Sequence, residues 1–247
     1  MLRRLEPLYT YEVRAWDGPV GTVHDFLFDD LEWKLRYLVV ETAEWLSGRR
    51  VLLVPDALQT AHGEEKVLPI NLSREQVANS PPLETEQPVS RQYQVALHTH
   101  YEWPFYWTNL SPLGTAPAAL PLDEPEAPAA TEVEAESDEH LRSVRVVTGY
   151  DLAARDGEIG HLKDFIVNDE NWAIFYMLID TSSWLLPGKQ VILPPTWVTQ
   201  IDWDTGDIVV DLNRQAIRNS PEFDPDELVD RAYEERLYQY YERPGYW

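Results

Sequence analysis

Along residues 33–40 the side chains alternate. Trp33, Leu35, Tyr37 and Val39 fall on one face, and Lys34, Arg36, Leu38 and Val40 on the other. This two-residue period predicts a β-strand. Residues 172–179 repeat the first face as Trp172, Ile174, Tyr176 and Leu178, while the other face becomes Ala173, Phe175, Met177 and Ile179. A strand apolar on both faces is normally covered on both. The second strand is therefore expected to lie against the first copy, with Phe175 buried and Arg36 at a tolerant, solvated position.

The repetition extends well beyond this strand. Gly18, Gly21, Asp25, Phe26, Trp33, Tyr37, Trp45 and Gly48 answer to Gly157, Gly160, Asp164, Phe165, Trp172, Tyr176, Trp184 and Gly188. Such internal self-similarity defines a duplicated unit. Within each copy the chain reads as short strands punctuated by turns. Val13–Ala15 and Thr22–Phe28 flank an Asp-Gly turn, and Val51–Val54 or Val191–Leu193 runs into Pro55 or Pro195. Two further short strands are expected near 57–60 and 66–70, and at 198–202 and 207–210. Ser73 to Gln76 has the pattern of a capping box opening a short helix, matched by Asn213 to Ala216.

Tyr93, Leu97 and Tyr101, and likewise Tyr233, Leu237 and Tyr241, have helical spacing. Asp224-Pro225 is a plausible start for the second of these helices. Both run into aromatic tails, at 101–107 and 241–247. The expected organisation is a first β-unit at 1–84, a helix and tail at 85–107, and an acidic Pro/Ala/Glu-rich linker at 108–143. A second β-unit at 144–223 and a second helix and tail at 224–247 follow. The linker is too poor in large apolar residues to offset the entropy of ordering it, and its acids read as solvating charge.

Composition narrows the function classes. The net charge of −23 argues against nucleic acid or an anionic membrane as partner. The chain has no cysteine, which removes thiol catalysis and thiolate metal sites. No apolar run approaches the ~20 residues of a membrane helix, and the expectation is a cytoplasmic protein without direct membrane insertion.

Gly21-x-Val-x-Asp25-Phe-Leu-Phe, then Trp33-x-Leu-x-Tyr37-Leu-Val-Val, a glycine loop and Val51-Leu-Leu-Val-Pro55 together resemble the PRC-barrel family. Residues 160–221 resemble it equally. That family includes the barrel of the photosynthetic reaction-centre H subunit cytoplasmic domain and of the ribosome maturation factor C-terminal domain. The resemblance implies a mainly β protein made of two small PRC-type β-barrels in tandem, each followed by a helix and an aromatic tail. It implies a protein-binding or assembly role and no shared catalytic residue.

The residues themselves offer little chemistry. Asp17-Gly18 and Asp156-Gly157 are turn residues. Asp25 and Asp164, inside strands, are expected to accept hydrogen bonds from nearby backbone donors. His98-x-His100 followed by Glu102 lies on a helix, where residues two apart diverge, and the second copy has Tyr238, Tyr240 and Glu242 there. Asp202, Asp204 and Asp207 around Gly206 fit a hairpin better than a calcium loop. The aromatic residues Trp45, Trp184, Phe175, Trp103, Phe105, Trp107 and Trp247 are the candidate interface. The resulting expectation is a non-catalytic scaffold or adaptor with no cofactor. It would bind another protein, including one in a membrane-associated complex, and form an intramolecular pseudo-dimer with homo-oligomers also allowed. The alternative is a small-molecule or metal-binding sensor with its site between the two barrels.

Overall fold

The computed structural model describes residues 1–59, 65–83, 89–109, 138–182, 188–225, 227 and 229–247. Among them the chain is mainly β, with two sheets and five short helices. The first copy contributes β1 (Leu2–Arg4), β2 (Glu12–Ala15), β3 (Gly18–Asp29), β4 (Lys34–Thr42), β5 (Arg50–Leu53) and β6 (Val67–Pro69). Helices α1 (Arg74–Ala78) and α2 (Arg91–Tyr101) follow. The second copy contributes β7 (Leu141–Ser143), helix α3 (Val144–Val147), β8 (Asp151–Ala154), β9 (Gly157–Asn168), β10 (Ile174–Asp180) and β11 (Gln190–Leu193). It continues with β12 (Val198–Asp202), β13 (Asp207–Val210), α4 (Arg214–Asn219) and α5 (Arg231–Tyr240).

Each sheet is built around one long strand. In the first the order is β5-β4-β3-β2-β6, and in the second β11-β10-β9-β8-β13-β12. Neighbours are antiparallel except β2 with β6 and β8 with β13, which run parallel. The strand–turn–strand units β2–β3 and β8–β9 form where Asp-Gly allows the backbone to reverse. Gly18 and Gly157 adopt φ of 147° and 126° there.

The two sheets exchange their leading strands. β1 pairs with β9 of the second copy, Arg3 opposite Val167. β7 pairs with β3 of the first copy, Arg142 opposite Phe28. Residues 1–10, expected as a mere lead-in, thus hold a cross-copy strand. The last residues of the expected 108–143 linker do the same; most of that linker, residues 110–137, lies outside the described residues. A charged three-residue strand has little pattern of its own, and its place is set by the unpaired edge that receives it.

A second exchange lies nearer the middle. Trp33 and Trp172 have left-handed backbone, φ 52° and 58°, and so turn the chain just before β4 and β10. Ile174 N–H donates to Trp33 O at 2.7 Å, and Leu35 N–H donates to Trp172 O at 2.9 Å. Phe28 and Phe165 approach to 5.4 Å between ring centres beside this seam. One continuous apolar cluster runs through both copies, from Val13, Leu38 and Leu53 to Leu152, Leu178 and Leu193.

Gly21 and Gly160 are required by proximity. A Cβ at either would lie 2.0 or 2.1 Å from a carbonyl oxygen, that of Glu41 or Asp180. The neighbouring strand could not remain paired there.

Three expectations need correction. Pro55–Ala57 forms a 3-10 turn, and Leu58 makes only an isolated bridge with Ile70, so no strand occupies 57–59. The fixed φ of proline and its missing N–H favour the turn. Helix α5 is capped by Asp230, whose side chain accepts from Tyr233 N–H, rather than by Asp224. The outer side of β4 is also covered: Arg36 is 7% exposed, and the contrast expected between it and Phe175 does not hold.

Candidate functional site

The outer surface of each copy carries the same assembly, made from β4 and α2 or from β10 and α5 plus the tail that follows the helix. In the first copy the Tyr37 hydroxyl reaches Gln94 Oε1 at 3.1 Å and His98 Nε2 at 2.8 Å. Tyr106 of the tail donates to the same Gln94 Oε1 at 2.8 Å. In the second copy Glu234 replaces Gln94, and it accepts from Tyr176 and Tyr246 at 2.7 Å each. Gln94 is fully buried and Glu234 is 3% exposed. Arg91 donates to Gln94 and pairs with Asp138 at 2.9 Å, while Arg231 pairs with Glu234 at 3.3 Å.

The cations also sit on the tail rings. Arg91 lies 4.5 Å over Trp107, and Arg231 lies 4.2 Å over Trp247. These distances permit cation–π attraction. Burial pushes the phenols of Tyr37 and Tyr176 far up, and for Tyr176 the hydrogen bond to Glu234 adds to it. Burial raises Tyr106 and Tyr246 to about 12. The phenols are therefore neutral donors near pH 7. Their arrangement suits a latch holding the tail on the sheet.

Each latch covers a different residue of its strand. Arg36 places its guanidinium 4.1 Å from the Tyr106 ring centre and bonds Glu32 at 2.8 Å and Asp29 at 3.2 Å. Phe175 meets Tyr246 edge-on at 4.9 Å. Phe175 is thus covered by its own tail, not by the first copy as expected. A tyrosine face accepts a guanidinium as readily as a phenyl edge, so the two copies could diverge there without losing the cover.

The remaining interface candidates fall around these latches or apart from them. Trp103 stacks on Tyr101 at 4.1 Å, and Phe105 and Trp107 flank the His98 ring at 5.8 and 5.1 Å. Trp45 donates its indole N–H to Val20 O and lies under Arg74. Trp184 lies outside the described residues. Tyr246 and Trp247 remain 50% and 53% exposed.

His98 and His100 do not converge. His98 is 2% exposed, with Nε2 at Tyr37 and Nδ1 at 2.8 Å from Pro104 O, whereas His100 turns to Gln76 O at 2.9 Å. Among the described residues no group of three or more acidic or histidine side chains could hold a metal. Asp202 accepts from Asp204 N–H and Thr205 N–H, which closes a hairpin.

Asp25 and Asp164 clamp the exchanged strands. Asp25 accepts from Ser143 Oγ and from Arg145 N–H at 3.1 Å, and Asp164 from Arg4 Nε and Glu6 N–H, both at 3.1 Å. The backbone donors expected for them are present both next in the chain, Phe26 N–H and Phe165 N–H, and on the opposite copy, Arg145 N–H and Glu6 N–H. Burial raises Asp164 to about 6, against the lowering effect of the donors from Glu6, Phe165 and Arg4.

Sequence reasoning missed Gln94, Glu234, Arg91 and Arg231. Their signal was a matched polar pair next to the apolar helix stripe in both copies. No helix among the described residues is long and apolar enough to cross a membrane. No protein-family model matches the chain, and no curated protein matches it.

Proposed function

We propose that this chain is a non-catalytic assembly module, two PRC-type β-barrels in tandem, that docks another protein through its second helix and tail. The observation that carries this reading is the state of Tyr246 and Trp247. Both rings are half exposed, yet both are fixed from beneath, Tyr246 by Glu234 and Trp247 by Arg231. Rigid, half-open aromatic rings are efficient interface anchors, because little side-chain entropy remains to be lost on docking. The strong negative charge favours a partner with a basic surface and disfavours nucleic acid. The resemblance of both copies to the PRC-barrel pattern supports the same role.

The test is quantitative co-purification from the native host of the wild type, Trp247→Ala and Trp16→Ala. Trp16 is 74% exposed at the opposite kind of site, a hairpin tip. A specific protein recovered with wild type and Trp16→Ala but lost with Trp247→Ala is the expected result. Equal recovery by all three, or by none, overturns the reading.

A further inference from the structure

The charged and aromatic residues that distinguish the first copy from the second converge on one cleft of about 270 Å³. It lies where the first copy's tail meets the second copy, and Lys34, Arg36, Trp103, Phe105 and Trp172 line it, with Asp56 also contributing. The matched residues in the second copy are Ala173 for Lys34, Phe175 for Arg36 and Gly245 for Phe105. A Cβ at Gly245 would meet the Trp247 ring at 2.5 Å, so in the second copy that ring fills the space beside it.

The two cations of the cleft differ in how they are partnered. The Arg36 side chain is 7% exposed and bonds Asp29 and Glu32 through Nη2, but its Nε is buried without a hydrogen-bond partner. The Lys34 ammonium makes no ion pair with any described residue. Lys34 therefore offers the cleft a cation with no carboxylate partner among the described residues. The surrounding rings supply flat apolar walls of the kind that hold an aromatic ring by stacked or edge contacts.

We propose that this cleft binds a small aromatic monocarboxylate, with its carboxylate toward Lys34 and Arg36 and its ring among Trp103, Phe105 and Trp172. The volume lies at the small end of ligand clefts, which run from about 300 to 1,000 Å³, so a single-ring acid fits better than a nucleotide. Asp56 and the net charge of −23 disfavour polyanions. The cleft is formed by both copies, so the ligand would stabilise their contact.

Calorimetry on the full chain tests this with phenylacetate, phenylacetamide and acetate. The expected result is saturable binding of phenylacetate at least about tenfold tighter than either of the others. Lys34→Ala, which installs the second copy's residue, weakens phenylacetate at least about tenfold with the melting temperature of the free protein unchanged. Lys163→Ala, off the cleft, leaves binding intact. The proposal is overturned if phenylacetate gives no saturable heat at millimolar concentration. It is equally overturned if phenylacetamide binds as well, or if Lys34→Ala has no effect. No protein partner enters the measurement, so the result stands apart from the assembly reading.

Discussion

Asp25 and Asp164 occupy the same place in the two copies, and each is held by the other copy's leading segment. Asp164 gathers Glu6 N–H, Arg4 and Phe165 N–H, and Asp25 gathers Ser143, Arg145 N–H and Phe26 N–H. Removing such a carboxylate strands several buried donors. Asp164→Ala is expected to lower unfolding free energy by about 3 kcal/mol, measured by urea unfolding. A change below about 0.5 kcal/mol, the usual range of a surface substitution, would refute the clamp.

Arg36 is the more demanding of the two diverged strand positions. Arg36→Ala removes a buried partner of Asp29 and the cover over Tyr106, for an expected loss of about 2–3 kcal/mol. Phe175 is half-buried, and Phe175→Ala is expected to cost about 1–2 kcal/mol, less than the 3–5 of a fully buried phenylalanine. Equilibrium unfolding of both variants checks the order; a mild Arg36→Ala beside a severe Phe175→Ala would contradict it.

His98 makes the first copy sensitive to acid. Burial holds its pKa below the ordinary value, so its contribution to stability is present above about pH 6.5 and lost as pH falls through the folded pKa. Nδ1–H faces the Pro104 carbonyl, which leaves Nε2 as an acceptor for the Tyr37 hydroxyl; protonation removes that acceptor. Asp164 has the opposite sign. Its raised pKa of about 6 means that its contribution is present below the unfolded value and lost as pH rises through about 6. Urea midpoints between pH 7.5 and 5 should therefore fall less for His98→Gln than for wild type. Parallel pH profiles would show that His98 carries no such charge penalty.

Gly160→Ala should be more damaging than an ordinary glycine substitution. Its new methyl group would lie 2.1 Å from Asp180 O, which forces β9 and β10 apart. The expected loss is about 3 kcal/mol or more, at or beyond the upper end of overpacking. Gly149→Ala has open space around the new group but a φ of 101°, and a cost near 1 kcal/mol is expected from backbone strain alone. Comparable melting temperatures for the two variants would remove the argument.

What could be read from the chain was what repeats locally. Strand alternation placed β4 and β10, the Asp-Gly pairs placed the β2–β3 and β8–β9 turns, and the Ser73–Gln76 capping box forms as its spacing requires. The exchange of β1 and β7 was invisible, because three-residue segments such as Leu2–Arg4 take their structure from a distant edge. The burial of Arg36 was invisible for a related reason. A guanidinium reads as solvent-facing until Tyr106, seventy residues on, is known to lie over it. Gln94 and Glu234 were hidden by the same separation from Tyr37 and Tyr176.

The crossing of β1 and β7 changes the molecularity of the protein. A pair of separate chains trading such strands would associate according to their concentration, and dilution would take them apart. Covalent linkage converts that second-order step into an intramolecular one, at an effective concentration fixed by the connecting chain. The pairing of the two copies then persists at any cellular abundance. Each copy is free to accumulate different side chains on its outer surface, as Arg36 and Phe175 have done, without losing its mate.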